Sequence, residues 1–329
     1  MVSRTLPALV VLLGTALGLA GCGGEDPVIT STTPSPTATP VLPRSGPLSA
    51  LALVPESATT LTLTDWDAIR TRFGVPELTS DDPMSDRTAF WERVDAEAVV
   101  LAEGQLREDT STYELDYGIT QDDVDWEAHF TGPAGAGWVL SLRPDLPLDG
   151  VRDAIAHGPL RGSELEGHLV VSGAAAAGEE TWASDPAWTG LTDPAAETAY
   201  FSRGCVDLAD ALGPEASVED QDAVQEKHHV ENLGDLAAWT IAYADGLATA
   251  RIGRDRDDLI ERAHLGDDWP AAGSIGFADG FTNMVDDPLS GRIGYNVVHP
   301  HAAAALTLAE ELPFAVCNDY APLDEPTGL

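Results

Sequence analysis

The stretch 237–252, Ala237-Ala238-Trp239-Thr240-Ile241-Ala242-Tyr243-Ala244-Asp245-Gly246-Leu247-Ala248-Thr249-Ala250-Arg251-Ile252, decides how this chain is read. Two runs of strand-forming residues flank Asp245-Gly246, a dipeptide that accepts two successive positive φ angles and so closes a two-residue hairpin. The spacing predicts antiparallel strands over Ala237–Ala244 and Leu247–Ile252, with a helix from Asp255 to about His264 behind them.

Working outward, the same plan recurs upstream. Tyr113–Tyr117 and Gly137–Leu142 alternate apolar and polar residues and predict strands. Asp145–His157 then predicts a short helix with Leu148, Val151 and Ile155 inward and Pro147 in its first turn. Thr59–Thr64 alternates in β-favouring residues, and Asp65 can cap a helix through Trp66, Ile69 and Phe73. Phe90, Trp91, Val94, Ala98 and Leu101 form one stripe over a helix from Thr88 to Glu103. Further strands are predicted at His168–Ser172, Thr198–Ser202, Ile293–Val298 and Pro313–Cys317, and further helices at Val206–Leu212 and His299–Glu310. Glu215–Asn232 reads as a polar connection. The expectation is an α+β protein of two related halves, 48–175 and 176–320, each of mainly antiparallel sheet with helices packed on one face, before a tail at 321–329.

Seventeen basic residues stand against fifty-five acidic ones, a formal charge of -38, and Lys227 is the single lysine. Nucleic-acid binding draws on clustered Lys and Arg, so this balance excludes nucleic acid as a partner. It also sets the body against anionic lipid headgroups.

Arg4 precedes an apolar run from Leu6 to Ala20, too short for a bilayer-spanning helix of ~20 residues and ended by Leu19-Ala20-Gly21-Cys22. That ending resembles the lipobox of bacterial lipoproteins. The resemblance implies a signal peptide over 1–21, cleavage before Cys22, a diacylglyceryl group on the Cys22 thiol and acylation of the new amino group. Membrane attachment would then run through that lipid anchor, on the extracytoplasmic face. Residues 22–47, rich in Pro, Thr and Ser, read as an extended linker. The texture of the rest is similar to that of uncharacterised actinobacterial lipoproteins. With Cys22 given to lipid, Cys205 and Cys317 remain, and outside the cytoplasm an even pair most simply forms a disulfide.

The chain carries no recognisable catalytic or cofactor constellation, and no cofactor is expected. Its two serine-glycine segments, at 161–164 and 272–276, do not match a nucleophile elbow, and Ser-x-x-Lys is impossible because Val224 stands three residues before Lys227. Asp65 with Asp67, the trio Asp122, Asp123 and Asp125, and Asp255 with Asp257 and Asp258 invite calcium, yet none follows an EF-hand pattern and helix capping accounts for Asp65 and Asp255. His228, His229, His299 and His301 are the zinc ligands to weigh, without a His-Glu-x-x-His motif. Trp66, Trp91 and Trp138 fall on core stripes. Trp126, Trp182, Trp188 and Trp269 lie in acidic, loop-like surroundings, and the first three are the candidate ligand platforms. The reading is a lipid-anchored binding or interaction module at the cell surface, with an unknown protein or small-molecule ligand; the opposing one is an envelope hydrolase with a metal or carboxylate site.

Overall fold

The computed structural model describes residues 46–173, 180–271 and 273–323. The leader, Cys22, nearly all of the linker, the Ala/Gly run after residue 173 and the last six residues lie outside the described residues. Ten strands form one sheet, in the order β4-β5-β3-β2-β1-β6-β7-β8-β10-β9, with every neighbouring pair antiparallel. The first half supplies β1 (Thr60–Asp65), β2 (Val124–Thr131), β3 (Gly137–Leu142), β4 (Glu164–Glu166) and β5 (Leu169–Gly173). The second supplies β6 (Thr198–Arg203), β7 (Ala238–Ala244), β8 (Leu247–Arg251), β9 (Phe281–Asp287) and β10 (Arg292–Val297).

The halves repeat one topology. Between β1 and β2 run α2 (Trp66–Arg72), α3 (Met84–Glu97) and the three-residue α4 (Thr110–Thr112); between β6 and β7 run α7 (Leu208–Leu212) and α8 (Val218–Lys227). One helix follows each hairpin, α5 (Asp149–His157) after β3 and α9 (Leu259–His264) after β8. The outer strands then add in swapped order, β5 inside β4 and β10 inside β9. Short helices precede each half, α1 (Gly46–Leu51) before β1 and α6 (Pro186–Leu191) before β6, while α10 (Phe277–Gly280) and α11 (Pro300–Leu308) belong to the second half alone. The central antiparallel pair, Thr62 opposite Tyr200, fuses the two halves into one sheet.

Residue alternation separates the two faces. On one face, α2, α3 and α5 bury Trp66, Ile69, Phe90, Val94 and Val151 against Leu140, Leu142 and Val170. On the same face of the second half, Trp239, Ile241, Tyr243, Ile293 and Tyr295 pack with α7, α9 and α11. Between these two helical layers the central strands turn polar. There Glu127 is fully buried and accepts from Gln105 N (3.1 Å) and Gln121 Nε2 (3.0 Å), and Thr198 donates to the Val99 carbonyl (2.9 Å). The opposite face is covered over the centre by α1 and α6, which enclose Leu61, Leu63, Phe130, Ala199 and Phe201.

The hairpin closes as its sequence demands, with Asp245 at φ 47 and Gly246 at φ 74. Elsewhere the structure corrects the sequence. Tyr113–Tyr117 is a helical turn rather than a strand, with Tyr113 buried. The helix expected over 88–103 spans Met84–Glu97 and ends where Val99 turns to bond β6. The helices expected from Asp145 and Asp255 begin at Asp149 and Leu259. Glu215–Asn232 contains α8, opened by a reciprocal Ser217–Asp220 capping box. Pro313–Cys317 forms a 3₁₀ turn, Pro313–Ala315, and one bridge from Val316 to Val206 rather than a strand. Cys205 and Cys317 form the expected disulfide, joining positions 112 residues apart at a Cα separation of 4.9 Å. No helix among the described residues is long and apolar enough to cross a membrane.

Candidate functional site

Asp65 closes β1 and caps α2. Its side chain accepts from Ala68 N (2.9 Å), as the sequence suggests, and also from Gly46 N (3.1 Å), which pins α1 beside it. Its own N–H donates to the Glu197 carbonyl (2.7 Å), so the turn into β6 is held against the end of β1. Glu197 in turn pairs with Arg72 (2.8 Å) and accepts from Asp245 N (3.2 Å) at the tip of the β7–β8 hairpin. Three chain segments thus bring Asp65, Asp67, Glu197 and Asp245 to the rim of one open cleft of about 630 Å³, with Thr71, Arg72 and Pro194 among its walls.

The cleft sits where the two halves join, and burial dominates its electrostatics. Removal from water pushes the carboxyls of Asp65 and Glu197 above the ordinary range, because the charged form loses hydration. Asp125, at the start of β2, is raised to about 6, first by burial and then by the charge of Asp67; Arg70, 3.7 Å away, opposes the shift. Arg70 is itself buried and already donates to Asp67 (2.7 Å) and the Val124 carbonyl (3.0 Å). Carboxylates disfavoured in this way gain most from an arriving cation, so the arrangement suits an ammonium or guanidinium group.

The candidate platforms Trp126, Trp182 and Trp188 do come together, but inside the core. Their exposures are 4%, 0% and 1%. Trp182 and Trp188 stack face to face at 3.8 Å and an angle of 2°, beneath α1 and α6, with Phe201 against both. Aromatic area of this size stabilises most when dry. These rings therefore anchor the two N-terminal helical segments to the sheet and offer no free face to a ligand.

Three of the acidic groups weighed for calcium, Asp122, Asp123 and Asp258, are taken up by arginines. Asp122 accepts from Arg87 Nε (2.7 Å) and Trp91 Nε1 (2.9 Å), Asp123 from Arg143 (3.1 Å), and Asp258 from Arg256 and Arg262 (2.7 Å each). Asp255 does not cap α9; Asp258 stands at that position. The four histidines are not gathered, and no group of three His, Cys, Asp or Glu able to hold a metal occurs among the described residues. Sequence reading missed Glu197 and Asp245 because neither has a local signature: one precedes a strand and the other looks like turn chemistry.

No family model matches the chain, and no curated protein matches it. Among solved structures, crystal form I of TP0453 is similar over 79% of this chain and 97% of that one, at 8% identity and a TM-score of 0.33. A likeness at that level carries no argument about fold or function.

Proposed function

We propose that this chain is a lipoprotein, anchored through Cys22 on the extracytoplasmic face of a membrane, whose α+β body acts as a binding or interaction module. The observation that carries the reading is the use of cysteine. Three occur in the sequence, and the pairing of Cys205 with Cys317 leaves Cys22, directly behind an apolar leader, for lipid. A disulfide also fits an oxidising compartment. Two or three acyl chains, at ~0.8 kcal/mol per buried methylene, hold a protein at a bilayer even when its charge of -38 is repelled by anionic headgroups. The acidic cleft at the seam offers the module a place for a cationic group.

Cys22→Ser tests the anchor. In cells that process lipoproteins, the parent should mature by the lipid route and enter the detergent phase on cloud-point partitioning, whereas the variant should remain unlipidated and aqueous. Identical processing and partitioning of the two would overturn the reading.

A further inference from the structure

Helix α11 ends against the preferences of its own closing turn. The Glu310 N–H donates to the Thr307 carbonyl (3.1 Å) and the Glu311 N–H to the Leu306 carbonyl (2.9 Å), the paired bonds of a Schellman motif. That motif puts its first residue beyond the helix in the left-handed region, where glycine is preferred, and commonly lays an apolar second residue against the last turns. This chain supplies glutamate at both positions, with Glu310 at φ 57. Local choices that break a rule in this way collect at functional places. Glu310 has a visible partner, accepting from the Tyr200 hydroxyl on β6 (2.9 Å). The Glu311 carboxylate has no hydrogen bond or ion pair among the described residues.

Glu311 lines a cleft of about 210 Å³ built by the end of α7, the segment from Trp269 to α10 and the last turns of α11. A Cβ on Gly213, in the α7 wall, would lie 3.1 Å from the Glu311 carboxyl carbon and from one of its oxygens, so the carboxylate itself lies against that wall. The remaining surface is apolar, with Leu212, Trp269, Ile275, Phe277 and Leu306. Trp269 is half-buried and meets no other ring among the described residues, and Ile275 keeps 39% exposure. Another half-buried tryptophan of this chain, Trp91, is covered by the Arg107 guanidinium at 4.3 Å; Trp269 carries no such cation. The volume falls below the roughly 300–1,000 Å³ of clefts for drug-sized ligands, so the occupant is small.

Its charge is one-sided however far the count is carried. Glu311 and, at the rim, Glu215 are the charged lining residues, and no basic side chain lines the cleft. Just ahead of Trp269, Asp267 and Asp268 hold His264 (2.7 Å) and Lys227 (3.2 Å), so neither base is left over. Asp210 on α7 and Asp279 on α10 add only negative charge. Burial pushes the Glu311 carboxyl above its ordinary range, as expected of an anion without a counter-charge. We infer that this cleft binds a small quaternary ammonium compound, its charge answered by Glu311 and its methyl groups lying on Trp269, Ile275 and Leu306. A primary ammonium would bring three N–H donors to mostly apolar walls, whereas a quaternary one brings none and is held by a carboxylate and an indole face. The inference goes beyond the binding-module reading: it concerns a site apart from the acidic seam cleft and does not depend on how the chain is anchored.

Choline serves as the probe, titrated into the purified full chain by calorimetry beside the alcohol that carries a tert-butyl group in place of the trimethylammonium. Saturable choline binding is expected, with the neutral isostere weaker by roughly tenfold or more, the order of one opposite charge in a partly desolvated site. Glu311→Gln should weaken choline by a similar factor and unfold at no lower a midpoint than the parent, since it removes only an unpaired charge. Asp245→Asn, which neutralises an acid of the seam cleft at a turn that accepts asparagine, should leave the affinity unchanged. No saturable choline binding, an isostere that binds as tightly, an unaltered affinity in Glu311→Gln, or an equal loss in Asp245→Asn would each overturn the inference.

Discussion

The two halves share a topology but are fastened by different chemistry. In the first, charge is buried under the helical layer: Arg87 bridges Asp122 and Glu114, Arg143 meets Asp123, and burial raises Asp123 and Asp125 above the ordinary carboxyl range. In the second, the layer is aromatic, with Tyr243, Phe277, Phe281, Tyr295 and Phe314 in mutual contact. Its one fully buried arginine, Arg262, bonds Asp258 and the Phe314 and Val316 carbonyls, and the disulfide ties the same closing segment through Cys317. Asp258 is accordingly held down at about 2: burial, its largest influence, raises it, but the hydrogen bonds and charges of Arg256 and Arg262 together prevail. The same strand plan therefore tolerates a carboxylate at odds with its surroundings in one half and a fully compensated one in the other.

The largest effect should come from Arg262→Met, which leaves Asp258 with one arginine and the Gly234 N–H and strands the Phe314 and Val316 carbonyls. A loss of about 3–5 kcal/mol is expected by denaturant unfolding; a loss below about 1 kcal/mol would erase the contrast between the halves. Cys205→Ser with Cys317→Ser should cost about 2–5 kcal/mol, and reduction of the parent should produce the same shift. If the double variant matches the oxidised parent, the covalent tie is not what secures the closing segment.

Titration sharpens the comparison next. Asp125 binds a proton more tightly folded than unfolded, so its contribution to stability falls as pH rises from about 4 to about 6. Asp125→Asn should therefore stabilise the protein above pH 6, by about 1–2 kcal/mol, and match the parent below pH 4. Asp258 behaves oppositely: its contribution is present above about pH 4 and is lost as pH falls through about 2. Thermal melts of Asp125→Asn and Asp258→Asn across pH 2–7 should separate these slopes; superimposable profiles would remove the electrostatic distinction. The smallest effect, about 1 kcal/mol, is expected from Ser217→Ala, which removes the cap of α8 and should show as local loss of amide protection.

What could be read from residues, and what could not, follows the same division. The β7–β8 hairpin was legible because Asp245-Gly246 and two apolar runs agree, and α2 because Asp65, Trp66, Ile69 and Phe73 sit at helical spacing. Strand β9 was invisible because an edge strand with mostly exposed residues has little burial to write into its pattern. Helix α8 buries only Gln221 and Val224, so periodicity missed it although Ser217 and Asp220 stood at capping-box spacing. The acidic cleft was half legible. Asp65 announces itself as a cap, but Glu197 and Asp245 reach it only because β1 pairs with β6 and β6 with β7.

By itself, the sequence determined the α+β class, the β7–β8 hairpin and the plan of two related halves, and it gave the expectation that Cys205 pairs with Cys317. These depend on neighbours a few residues apart or on simple exclusion. Tertiary structure decided that the halves merge into one sheet, that Trp182 and Trp188 stack in its core, and that acids from three segments share a cleft. Those outcomes rest on strand pairing between residues more than a hundred positions apart, where burial and hydrogen bonding across the assembled sheet outweigh the local surroundings of any one residue.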